Sequence, residues 1–373
     1  MNQLVYMDHN ATSPTRVEAV DAATRAMQIG GNPSSVHAQG RKARRVVEDA
    51  REQVRAAVNA PKSAQIVFTS CGTEANTLAL RGCERPKAFV GATEHASVMQ
   101  AHDNCERIPV DVNGLIDPFV LDEMFAGGGD DVVVSVMLAN NETGVLQQIE
   151  GIVHIAKRYD ALVHCDAIQA LGKVDVDFAS LGVDMMSLSA HKIGGPLGVG
   201  ALIATKDMKL TPINRGGGQE GGLRGGTENV PGIAGFGVAA ELAKAELDNM
   251  VRIKGLRHAL ETSILEIAPD ATVIAQMAER LPNTAFIAMP GVSAETQVMA
   301  FDLAGICVSA GSACASGKTK TSAALNAMGL GRDIASNAVR VSLGHATKEQ
   351  DIEHFISAWQ ELYQRKGAAR SAA

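Results

Sequence analysis

Two short segments hold the residues best suited to chemistry. Leu162-Val163-His164-Cys165-Asp166-Ala167-Ile168-Gln169 ends in a carboxylate and an amide, and Ser187-Leu188-Ser189-Ala190-His191-Lys192 ends in an ammonium. Each begins as an apolar run that predicts a buried strand. A carboxylate and a lysine at the ends of adjacent strands suit pyridoxal phosphate (PLP). The lysine amine condenses with the aldehyde of that cofactor, and the carboxylate keeps its pyridine nitrogen protonated so that the ring accepts electrons. A lysine at a buried strand end also has a lowered proton affinity, which suits it to act as nucleophile and base. A structural Lys–Asp ion pair is the plainer alternative.

Other groups extend the pattern. Ser70-Cys71-Gly72-Thr73-Glu74-Ala75-Asn76 stands between a predicted strand and a predicted helix. Gly72 allows close backbone approach, Thr73 adds a hydroxyl, and amides at a helix start attract a phosphate. No Gly-Lys-Ser/Thr follows, so the turn is not a triphosphate loop; a helix cap without ligand is its other reading. In Thr93-Glu94-His95-Ala96-Ser97 the histidine suits stacking on a ring and proton transfer, or a structural hydrogen bond. Asn140 and Asn141 follow the most apolar strand, a position suited to polar ligand contacts or to an ordinary turn. Gln169 is placed to donate to a ring oxygen, and Ser189 and His191 flank Lys192 closely enough to reach a phosphate.

Three later features add to the set. The glycine-rich stretch 216–227 contains Arg224 and Thr227, which suit a phosphate across a subunit boundary; a mobile surface loop is the alternative. Cys314 lies among small residues, with Lys318 and Lys320 to favour its thiolate. Cys165 and Cys307, in apolar runs, read as inert buried thiols, and Cys71 as a packing group in the turn. Arg340 suits a bidentate clamp on a carboxylate, or a structural ion pair.

The elements that must position these groups alternate between helix and strand, which predicts an α/β fold with a mostly parallel sheet. Strands are expected at 65–69, 88–91, 132–138 and 199–203, and again at 283–288, 306–309 and 339–343. Helices are expected at 41–59, from about Glu74, at 231–248 and at 251–267. A last helix is expected to open with Thr347 and Gln350 as a capping box. The chain has 373 residues and is 46% hydrophobic, enough for two domains with large cores. We expect a large domain over 14–250, and a small one from 1–13 plus 251–373 that carries the Cys314 loop.

The net charge of −7 argues against a nucleic-acid footprint. Six cysteines without a CxxC pair or zinc-like spacing suggest neither a disulfide scaffold nor a metal site, and fit a reducing cytoplasm. No apolar run reaches membrane-spanning length, and the first residues do not read as a signal peptide.

Taken in order, these motifs resemble those of cysteine desulfurases, PLP-dependent enzymes of fold type I related to class V aminotransferases. The resemblance runs from Tyr6-Met7-Asp8-His9-Asn10-Ala11-Thr12 to Val339-Arg340-Val341-Ser342-Leu343-Gly344. It includes Gly31-Asn32-Pro33-Ser34-Ser35, Thr93-Glu94-His95, Asn140-Asn141-Glu142, Ser189-Ala190-His191-Lys192 and Arg224-Gly225-Gly226-Thr227. Gly311-Ser312-Ala313-Cys314, with a long loop after it, is similar to the subgroup typified by NifS and IscS. The chain departs from the family pattern at Cys71-Gly72, where Gly-Ala is common. It departs again at Ala190, where glycine is frequent, and at Gly317-Lys318-Thr319-Lys320.

The resemblance implies a seven-stranded-type central sheet with a smaller α+β domain. It implies that Lys192 carries PLP, that Asp166 pairs with the ring nitrogen, that Gln169 contacts the ring oxygen and that His95 stacks on the ring. Gly72, Thr73, Ser189 and His191 would bind the phosphate, joined by Thr227 from the partner of a homodimer. Asn32, Asn141 and Arg340 would orient L-cysteine, with Asn141 also near the cofactor. Cys314 would take the sulfur as a persulfide, leave L-alanine, and pass the sulfur to an iron–sulfur scaffold or sulfur-carrier protein. Two alternatives remain open: a selenocysteine lyase, which shares the site but can act without Cys314, and a non-catalytic scaffold subunit of the same fold.

Overall fold

The strand Val132–Met137 is buried at all six positions, so both of its faces need cover. It lies inside a seven-stranded sheet. The spatial order is Gln65–Thr69, Gly200–Ala204, Met185–Ser189, Leu162–Asp166, Val132–Met137, Lys87–Gly91, Cys105–Ile108. Only Gly200–Ala204 runs against its neighbours; the other adjacent pairs are parallel. The alternating pattern of the sequence thus becomes an α/β fold with a mainly parallel sheet. The computed structural model describes residues 4–127, 131–311 and 322–371. Cys314, Lys318 and Lys320 lie outside the described residues.

Helices flank the sheet, some through an apolar stripe and Val230–Ala245 by being apolar on nearly every face. Ala38–Ala57 buries Ala43, Val47, Ala50 and Val54, positions three to four apart, and packs against Val230–Ala245. Their approach is close: a Cβ on Gly237 would stand 2.7 Å from the Ala50 Cα. Val230–Ala245 begins with Pro231 in its first turn and with Asn229 Oδ1 accepting from the Gly232 N–H, two ordinary ways to start a helix.

A second sheet of four antiparallel strands follows, in the order Ser309–Ala310, Ala338–Ser342, Thr284–Ala288, Thr272–Val273. Its core joins Ile253 and Leu260 of the helix Asn249–Ile267 to Phe301, Phe355 and Trp359. Met7 belongs to this core, and Val5–Tyr6 pairs in parallel with Ile306–Cys307. The start of the chain is therefore built into the second region, beside its end.

Two local expectations change. The single strand expected at 306–309 is two short strands, Ile306–Cys307 and Ser309–Ala310, each in a different sheet. The last helix spans Glu349–Ser371, and instead of a box it opens with a single bond, in which Asp351 Oδ2 accepts from the Lys348 N–H. Thr347 instead accepts from the Gly344 N–H, which closes the preceding turn. Among the described residues no helix is long and apolar enough to cross a membrane.

Candidate active site

Parallel strands end on one side of the sheet, so the turns that follow them gather there. Register places Asp166 opposite Met137 on one side and Ser187 on the other. A cavity of about 450 Å³ opens at this edge and is lined by Asp166, Lys192, His95, Gln169, Thr73 and Arg340 among others. Asp166 and Lys192, the pair singled out from the sequence, thus face one space.

Around Asp166 the polar groups form a chain. Asp166 Oδ1 accepts from the Ile168 N–H at 3.0 Å, and Oδ2 accepts from Asn76 Nδ2 at 2.8 Å. Asn76 Nδ2 also donates to Ser97 Oγ, which lies 2.8 Å from His95 Nδ1. The Ser97 N–H donates to the same His95 nitrogen, so the neutral ring carries its proton on Nε2. Burial lowers the proton affinity of His95 and raises that of Asp166. A carboxyl group so lifted is stabilised by a cation placed beside it, which a protonated pyridine supplies.

The opposite wall suits an anion. The helix Gly72–Gly82 points its start at the cavity, with Gly72 and Thr73 in the lining and no side chain capping its N-terminus. A Cβ on Gly72 would lie 2.3 Å from Ile168 Cδ1, so a larger residue here requires the Ile168 side chain to shift. Ser189 Oγ, in the same lining, is buried without a hydrogen-bond partner. His191 Nδ1 lies 3.1 Å from Thr12 Oγ1; burial and the nearby lysine charges lower its pKa to about 4, so the ring is neutral at pH 7. The orphaned hydroxyl and the helix start fit the phosphate of PLP, the lifted carboxylate its ring nitrogen, and Lys192 its aldehyde. Lys192 Nζ donates to the carbonyls of Asn10 and Ala11, both at 2.7 Å.

Arg340 closes the remaining side. Its Nη2 donates to Asp8 Oδ1 at 2.7 Å, and its Nη1 to the Asn141 carbonyl at 3.0 Å. Arg340 is thus both a lining residue and half of a structural ion pair; its Nε is buried without a partner. Asp8 Oδ2 accepts from Ser309 Oγ as well. Asn141 lines the cavity, but its contact with Arg340 is made by the backbone oxygen rather than the side chain.

Two expected residues stand apart from this cavity. Asn32 is exposed, and its Oδ1 accepts from the Ser34 N–H; a local turn occupies the group expected to meet substrate. Thr227 lines a separate cavity with Ser70 and Arg224, while Arg224 pairs with Glu74 of the same chain. Both stand on loops away from the strand ends, where one chain by itself gives them no path inward. Cys165 is buried, and burial pushes its thiol pKa well up, as expected of an inert cysteine. Cys307 is only half-buried, with its thiol also pushed up.

Sequence reasoning missed several participants. Asn76 stands on the helix after the phosphate-type turn and looks like a surface polar residue until the fold turns it toward Asp166. Asn10 joins both regions: its Nδ2 donates to Thr284 Oγ1 and its carbonyl accepts from Lys192. Glu94, next to His95, is buried with Oε1 accepting from the Met137 N–H; burial and the neighbouring Asp166 raise its pKa well above the usual range. Glu142 accepts from Ser322 Oγ, and burial lifts its pKa to about 7. The signal available for each was adjacency to a chosen motif.

Comparison with known proteins agrees with this geometry. The family model described as aminotransferase class-V matches residues 5–355. The chain is 42% identical over 367 residues to a cysteine desulfurase of Cereibacter sphaeroides, with 94% of each chain covered. It is 36% identical over 380 residues to the cysteine desulfurase IscS of Dictyoglomus turgidum, covering 98% of this chain and 96% of the relative. Among solved structures, a NifS-like protein from Rickettsia africae superposes with a TM-score of 0.90 at 37% identity, over 97% of this chain and 100% of the other.

Proposed function

The chain belongs to the class-V aminotransferase family and is a cysteine desulfurase, and we propose that its cavity binds PLP and withdraws sulfur from L-cysteine. The observation that carries this reading is that Lys192 and Asp166 line one cavity of about 450 Å³, with Ser189 Oγ orphaned beside a helix start. When bound, PLP supplies an electron sink that acidifies the Cα–H of an amino acid attached to it.

The residues divide the remaining work. Lys192 Nζ would hold the cofactor aldehyde and is the base that moves the Cα proton of the substrate. Asp166 holds the proton on the ring nitrogen by charge pairing, and Asn76 fixes the orientation of that carboxylate. His95 presents its ring to the cofactor, and Gln169 donates to the ring oxygen. Gly72, Thr73, Ser189 and His191 hold the phosphate, with Thr227 of a second copy completing it in a homodimer. Arg340 receives the carboxylate of L-cysteine, with Asn141 and Asn32 as neighbours once the dimer forms.

Cys314 takes the sulfur. Its thiolate attacks the substrate sulfur; the C–S bond breaks with its electron pair left on carbon, which takes up a proton, so that a persulfide forms on Cys314 and the carbon skeleton leaves as L-alanine. The persulfide sulfur passes to an iron–sulfur scaffold or a sulfur carrier. Residence in the cytoplasm is part of the proposal; all five described cysteines are free thiols, as a reducing compartment keeps them. So is the division into 14–250 and 1–13 plus 251–373, supported by the separation of the seven-stranded sheet from the four-stranded sheet and the Val5–Tyr6/Ile306–Cys307 pair.

The test is mass spectrometry of the protein after exposure to L-cysteine. A sulfur adduct on Cys314, absent from the Cys314→Ala protein together with its alanine production, is the expected result. Sustained alanine production by Cys314→Ala with L-cysteine would remove Cys314 from the mechanism. If that variant works only with L-selenocysteine, the selenocysteine lyase reading gains.

A further inference from the structure

Lys173 is a buried lysine to which the mechanism above gives no role. It lies behind the cofactor cavity, lining a small space of about 40 Å³ on the far side of Lys192. Its Nζ donates to Gln169 Oε1 at 2.6 Å and to Asn10 Oδ1 at 3.0 Å. Neither partner is a carboxylate, so an ion pair does not explain its burial. Burial and the charges of Lys192 and Arg340 drive its proton affinity well down. Hiding an amine this way is costly, and the arrangement persists only where its hydrogen bonds matter.

Those bonds decide the orientation of one side chain. A primary amide presents an acceptor on one end and two donors on the other. Lys173 offers Gln169 a donor, and the Asn10 carbonyl offers it only an acceptor. Gln169 Nε2 donates to that carbonyl at 2.8 Å, and Lys192 Nζ donates to the same oxygen. The amide is therefore held oxygen-back and nitrogen-forward, and its second N–H remains for a partner in the cavity that Gln169 lines.

We propose that Lys173 is a positioning residue that sets the Gln169 amide as a donor toward the cofactor ring oxygen, acting through its own bond to Gln169 Oε1. The inference rests on the reading of the cavity as a PLP site. Without Lys173 the amide is free to turn over, and its oxygen then faces the electron-rich oxygen of the ring. The chemical consequence is weaker retention of the cofactor and an altered spectrum, with little change in substrate handling at Arg340.

A double-mutant cycle tests this, using the full-length chain stripped of cofactor and titrated with PLP. Lys173→Met is expected to weaken PLP binding about tenfold and to shift the pH midpoint of the bound-cofactor absorbance. Gln169→Ala is expected to do the same, and adding Lys173→Met to Gln169→Ala to cost less than about twofold more. Lys173→Gln keeps a donor at this position and is expected to restore most of the affinity; it also serves if the methionine variant does not fold. Equal losses from Lys173→Met in both backgrounds, or no loss in either, would overturn the inference while leaving the cofactor reading intact. Failure of the unaltered chain to bind PLP would overturn both.

Discussion

The two ends of the cavity are built differently. At the ring end, Asp166, Asn76, Ser97 and His95 join over 2 to 90 positions, from turns and a helix at the rim of the seven-stranded sheet. At the carboxylate end, Arg340 meets Asp8 from 332 positions away and Asn141 from 199. The first end belongs to one sheet; the second exists only where the two sheets and the start of the chain converge. Both carboxylate oxygens of Asp166 have partners in place, whereas Arg340 keeps an unpartnered Nε and an ion pair that a substrate carboxylate competes with. A site on the rim of one sheet is preformed by the packing of that sheet and its helices. A long-range site depends on how the two regions sit, and its groups exchange partners when substrate arrives.

The contrast predicts effects on kcat at one end and on KM at the other. The largest is expected for Lys192→Ala, which removes the linking amine and the mover of the Cα proton. Alanine production should fall by about 10³-fold or more, with loss of the visible band of the covalently linked cofactor. A variant that retained both would break the assignment of the ring end.

Next is Asp166→Asn. It removes the charge that holds the ring proton and sets an amide nitrogen against the donor of Asn76. A fall in kcat of about 10²- to 10³-fold is expected from single-turnover kinetics, with KM for L-cysteine changed much less. An equal rise in KM would mean that the two ends are not separable.

At the other end, Arg340→Lys keeps a charge but loses the planar fork. KM for L-cysteine is expected to rise about tenfold or more, while kcat at saturation changes by less than about threefold. Purely kcat-based damage would show that Arg340 serves Asp8 and the fold rather than substrate.

A last effect, on stability rather than on rate, concerns Glu142, which lines the cavity and accepts from Ser322 Oγ. Burial pushes its carboxyl pKa up to about 7, against 4.5 when exposed. A raised carboxyl pKa favours the folded state at low pH, and this contribution is lost as pH rises from about 4.5 through 7. Urea unfolding at pH 5 and pH 8 should reveal a loss of at most roughly 3 kcal/mol on going alkaline, and Glu142→Gln should flatten that slope. Parallel slopes in the two proteins would assign the pH dependence elsewhere.

The sequence was readable wherever a motif acts through its own neighbours. Asp166 and Lys192 follow apolar strands, Gly72 and Thr73 open a helix, and His95 precedes a short one; each is placed by a period or a turn. Asn76 and Lys173 were not readable, because a polar residue on a helix or turn gains a partner only when another strand end arrives beside it. Asn32 and Thr227 show the converse. Family resemblance names them, yet a single chain leaves one in a surface turn and the other beside a separate cavity.

By itself, then, the order of residues determined the alternating layers, the parallel sheet and the chemical character of its rim, because hydrophobic period and turn chemistry are local properties. Tertiary structure alone decided that Asp8 holds Arg340, that the Asn10 carbonyl serves both Lys192 and Gln169, and that Lys173 is buried without a carboxylate. Those contacts join atoms far apart along the chain. Their existence depends on loop closure and on packing of two cores against one another, which no local pattern encodes.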